Sequence, residues 1–138
     1  MKSRKWQFHD YTVVYNKGDE LGDESFNACW NHVYEYIEVN KAFLKQPKWV
    51  QNAILCHELG HAQLHTIFNW HNDEKNLNQE IEADWYGYQF PEGKRIVEVL
   101  QMTLPLCITK AAKKDIRRRI TALKQRMKDD KRRTRTNR

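Results

Sequence analysis

The chain has 138 residues, the length of one compact domain with an extension. Its formal charge of +6 is unevenly placed: from Lys110 onward 14 Lys and Arg face three Asp, so residues 1–109 carry a net charge of about −5. Three cysteines without CxxC spacing argue against a disulfide framework, and no apolar run reaches the ~20 residues that span a bilayer, so a cytoplasmic protein with no membrane segment is expected.

Residues 6–15 are rich in aromatic and β-branched side chains and predict a strand or hairpin arm. Residues 16–24 hold Gly18, Gly22 and several acids and read as a loop. Residues 34–39 are strand-like, and Asn40 ends the run. Pro47 suits a helix start, and Val50, Ala53, Ile54, His57, His61, Leu64 and Ile67 fall close to helical spacing, which predicts one helix over residues 48–68. Gly60 inside it costs about 1 kcal/mol relative to Ala, so a close neighbouring element is expected there. Residues 69–78 read as a polar loop, 79–88 as a second helix and 91–93 as a turn. Residues 94–104 carry an apolar face that Pro105 ends, and residues 110–128 place Ile116, Ile120, Leu123 and Met127 on one stripe. The expected organisation is a domain over 1–109, a basic helix over 110–128 packed on it, and a disordered basic tail over 129–138.

The chemistry is concentrated in His57-Glu58-Leu59-Gly60-His61. Two His one helical turn apart project from the same face, and their imidazoles can converge on one ion. Glu58 lies beside the first His, placed to take a proton from a metal-bound water. Zinc suits such a site because it accepts imidazole and carboxylate and keeps one position for water. The following helix offers Glu80 as third ligand, with Asp84 one turn on as the carboxylate that orients a ligand His. Glu82 and His71 are the alternative ligands. His65 stands about 12 Å along the helix from His57, too far to share the ion. It reads as a residue of the cleft edge or transition state, or as an ordinary partly buried His; Tyr86 is another candidate for the cleft.

The stretch from His57 to His65, HELGHAQLH, resembles the signature of the ImmA/IrrE family of HExxH zinc metallopeptidases, of the gluzincin type. Residues 36–40, YIEVN, resemble the edge strand that precedes the active-site helix in that family. Residues 80–87, EIEADWYG, are similar to its ExEA(N/D) motif and equally to that of the HtpX/CAAX-processing peptidases, and RITAL at 119–123 echoes a helix of the latter. The resemblance implies a zincin-like α+β fold, a small antiparallel or mixed sheet packed on the active-site helix, and one catalytic zinc. It also implies peptide hydrolysis, with a transcriptional repressor among the possible substrates. Two other readings stand beside it. One is a weakly or non-catalytic zinc-containing regulatory module. The other is a protease tethered to nucleic acid by Arg117, Arg118, Arg119, Lys131, Arg132 and Arg133, through phosphate contacts alone because the tail has no aromatic residue.

Overall fold

The structure, a computed structural model, describes residues 2–17, 26–65 and 73–136. The strands β1 (Arg4–Phe8) and β2 (Tyr11–Tyr15) form an antiparallel hairpin. The strands β3 (Ala28–Asn31) and β4 (Tyr36–Val39) form a second. The second hairpin turns because Asn31 Oδ1 accepts from the amides of Val33 and Tyr34, both at 3.0 Å, while Glu35 takes a left-handed φ of 57°. These local bonds hold residues 32–35 in the turn, so the strand expected from Tyr34 begins at Tyr36.

The sheet is mixed, in the order β1-β2-β4-β3, with β2 and β4 parallel. This corrects one expectation. The strand of residues 36–39 is not an edge strand: it is paired on both sides, and Ile37 and Val39 are fully buried. Among the described residues the edge of the sheet beside β4 belongs to β3. Asn40 fixes that edge, since its Oδ1 accepts from the amides of Asn27 and of Phe43, both at 2.9 Å. One carboxamide thus caps the short helix α1 (Lys41–Leu44) and anchors the start of β3.

The helix α2 (Lys48–Leu64) lies between two cores. Leu55 and Leu59 pack with Val13, Ile37, Val39 and Phe43 of the sheet side. Val50, Ala53 and Cys56 pack with Ile96, Val99, Leu100, Ile116 and Leu123 on the other. Burial on two faces explains why this helix has no clean polar side. It ends at Leu64, where His65 adopts an extended backbone; residues 66–68 of the expected helix lie outside the described residues.

The helix α3 (Asp73–Tyr88) starts six residues earlier than expected. Buried Leu77 supplies an apolar anchor in a stretch that otherwise reads as polar loop. Next come a 3-10 turn (Pro91–Gly93), α4 (Ile96–Thr103) and a second 3-10 turn (Leu104–Leu106) that contains Pro105. The last helix, α5 (Lys110–Thr136), docks through Ile116 and Leu123. It also continues past Met127, so residues 129–136 are helical where disorder was expected. Once the docked turns are nucleated, each added Lys or Arg propagates the helix at little cost. Gln125 Nε2 donating to Asp129 Oδ1 at 3.1 Å, and Thr134 Oγ1 to the carbonyl of Asp130 at 3.0 Å, support the extension.

Candidate metal centre

Helices α2 and α3 meet backbone to backbone. A Cβ on Gly60 would stand 2.6 Å from Ala83 Cα, and one on Gly87 would stand 2.7 Å from the Cys56 carbonyl carbon. The close neighbour expected at Gly60 is therefore Ala83. With both glycines bare, the side chains of the two helices reach across a short gap. His57 and His61 come from α2, and Glu80 and Asp84 from α3.

Three donor residues converge, His57 and His61 each through Nε2 and Glu80 through its two carboxylate oxygens. His57 Nε2 lies 3.1 Å from Glu80 Oε2, His61 Nε2 lies 2.9 Å from Glu80 Oε1, and the two Nε2 atoms are 3.1 Å apart. Ligand atoms held about 2.1 Å from a tetrahedral zinc stand about 3.4 Å from one another. The triangle is slightly tighter than that, so a small outward adjustment admits the ion. The charges agree as well. With neutral imidazoles, the carboxylates Glu58, Glu80 and Asp84 set against the guanidinium of Arg119 leave two negative charges, which a divalent cation balances. By donor chemistry and spacing the residues fit zinc.

Around the triangle each imidazole is oriented from behind. His57 Nδ1–H donates to Asp84 Oδ1 at 2.7 Å, which points Nε2 toward the Glu80 carboxylate. Asp84 is fully buried and is held in turn by Arg119, whose Nε and Nη2 donate to its two oxygens at 2.9 and 2.8 Å. Arg119 Nη1 also lies 3.4 Å from Glu80 Oε2. His61 Nδ1 lies 3.1 Å from His65 Nδ1, and His65 Nε2 lies 3.0 Å from Glu82 Oε2. With His61 Nε2 as a ligand its proton sits on Nδ1, so His61 donates to His65 and His65 donates to Glu82.

The ionisable groups respond to this crowding. Burial opposes charge on His57, but Asp84 and Glu80 override it and push the imidazole up to about 10 in the metal-free protein. Burial also opposes charge on Glu80, yet His57, His61 and Arg119 hold it well below the usual carboxylate range. Glu58 moves the other way: burial raises it, and the nearby imidazoles only partly offset the rise. Its Oε2 accepts from the backbone amide of Trp30 on β3 at 3.0 Å.

Glu82 stands outside the triangle, half-exposed and turned to His65. His65 folds back on His61 from its extended position. Tyr86 packs with the sheet-side core, its ring 5.6 Å from that of Phe90. His71 lies outside the described residues. Arg119 is the largest correction. Expected at a nucleic-acid surface, it is instead largely buried with Asp84 and Glu80, because two carboxylates facing α5 need a cation. Its only signal in the sequence is the RITAL resemblance. The Trp30 amide, a backbone group, leaves no signal at all. Comparison with known protein families, with curated proteins and with solved structures finds no match.

Proposed function

We propose that the chain is a zinc-dependent metallo-endopeptidase, with His57, His61 and Glu80 holding the ion and Glu58 as the general base. The observation that carries this reading is the cluster of three donor residues with Glu58 beside it and the Asp84 carboxylate behind it. Bound there, zinc supplies Lewis acidity toward a water and the scissile carbonyl.

The chain's own residues do the rest. Glu58 Oε2 is steadied by the Trp30 amide, and Oε1 takes the proton of the attacking water. As the water oxygen bonds to the carbonyl carbon and the carbon–nitrogen bond breaks, that proton passes to the leaving amine. A carboxyl raised by burial exchanges the proton with less loss of driving force than an ordinary Glu. Asp84 and Arg119 keep His57 Nε2 directed at the centre.

The edge of β3, rather than β4, supports an extended substrate. Trp30 spends its outward amide on Glu58, which sets the strand beside the site, and Ala28 lies on the same outward side two residues before. A cavity of about 210 Å³ adjoins the site, with Phe26, Ile54, Ile96 and Leu100 among its apolar walls, and suits one apolar substrate side chain.

The test is Glu58→Gln on the zinc-loaded protein with fluorescent casein as substrate. Cleavage should disappear while zinc stays bound. Undiminished turnover in that variant removes the assignment.

A further inference from the structure

Helix α5 carries a second pattern, independent of the metal centre. Lys110, Lys114, Arg117, Thr121, Lys124, Lys128, Lys131 and Arg135 follow one another at alternating steps of four and three residues. That spacing keeps all eight on one face of the helix. All are exposed, and every one except Thr121 is Lys or Arg. The helix's acids, Asp115, Asp129 and Asp130, fall on other faces. The stripe is about 38 Å long at the rise of an α-helix. Where it passes α3, Lys114, Arg117 and Thr121 line an open groove with Ile81.

We infer that this stripe is a docking surface for the phosphate backbone of double-stranded nucleic acid. A long row of cations on one helix face, interrupted only at Thr121, matches a uniformly charged polyanion. It contains no apolar or aromatic side chain, whereas specific protein interfaces have apolar centres depleted in Lys. Helices that lie on lipid use an apolar face, and the apolar face of α5 is spent on the core through Ile116 and Leu123. Arg119 lies about 200° around the helix from Arg117. The stripe therefore faces away from the metal centre, and a duplex held on it leaves the cleft open to a protein. Of the six basic residues expected at such a surface, Arg119 is excluded by its burial, while Arg117 and Lys131 lie in the stripe.

The experiment measures binding of the full chain to a labelled 30-base-pair duplex of random sequence, from 50 to 300 mM salt. Wild type should give a slope of log K against log salt of about −5 to −6, from about six neutralised phosphates. Lys124→Gln, Lys128→Gln and Lys131→Gln together should make the slope shallower by about 3 and weaken binding at least tenfold at 100 mM salt. The same three positions changed to Arg should behave as wild type. A control triple elsewhere, Lys5→Gln, Lys45→Gln and Lys48→Gln, should leave slope and affinity unchanged. Absence of duplex binding at 50 mM salt overturns the inference. So does an equal effect of the two Gln triples, or binding confined to vesicles containing phosphatidylserine.

Discussion

Arg119 and Asp84, 35 residues apart in the chain, form a two-pronged ion pair at 2.9 and 2.8 Å directly behind His57. The pair joins the C-terminal helix to the candidate metal centre, so the domain is incomplete without the docked part of α5. Removing one partner leaves the other as a buried charge without compensation, which costs about 3–5 kcal/mol. Arg119→Met should therefore lower unfolding free energy by an amount in that range, read from urea melts of metal-free protein. Arg119→Lys should recover only part of it, because an ammonium cannot serve both carboxylate oxygens in the same fork.

The same pair sets an acid limb. Burial raises the Asp84 carboxyl, but Arg119 and then His57 outweigh it and hold it below its ordinary value. A group depressed in the folded state stabilises above its unfolded pKa of about 3.9, and that contribution is lost as pH falls through the folded value. Metal-free wild type should lose stability on acidification below about pH 4. In Arg119→Met this slope should shrink, as followed by tryptophan fluorescence against pH.

Metal uptake should depend on pH in the opposite region. His57 in the metal-free protein holds its extra proton up to about 10, and a ligand imidazole must give it up. Apparent zinc affinity should rise about tenfold per pH unit between pH 7 and 9 for one displaced proton. Calorimetry in buffers of different ionisation enthalpy should register that proton's release.

The row from His61 through His65 to Glu82 makes a further prediction. Residues that orient a ligand His typically contribute about 10- to 100-fold in metal affinity. His65→Ala should weaken zinc binding by that factor and alter the visible spectrum of the cobalt-substituted protein. Glu82→Ala should add little in the His65→Ala background, since the two act in series.

Gly60→Ala pits two effects against each other. Ala is the better helix former by about 1 kcal/mol. The new methyl, however, would stand 2.6 Å from the Ala83 backbone and force α2 and α3 apart, a strain of about 1–3 kcal/mol or more. The strain should win, giving net destabilisation in urea melts together with weaker zinc binding, since the ligands sit on both helices.

Much of this arrangement was legible in the sequence because it is local. His57, Glu58 and His61 share one helical turn, and Glu80 and Asp84 share another, so periodicity alone placed each pair on a face. Gly60 announced the helix contact through its unfavourable propensity. Pairings between distant segments left no comparable mark. The parallel match of β2 with β4 hid the fact that β3 is the outer strand among the described residues, and one arginine in a run of three gave no local sign of being buried. The helical state of residues 129–136 is not legible in the sequence, because solvated helix and disorder share the same polar composition.

The most direct test of the metal centre is a zinc titration against a competing chelator, comparing wild type, Glu58→Gln and Glu80→Ala at pH 7.5. One ion per chain is predicted for wild type, with affinity nearly unchanged in Glu58→Gln and at least about 100-fold weaker in Glu80→Ala. Absence of stoichiometric zinc in wild type, or equal affinity in Glu80→Ala, would contradict it.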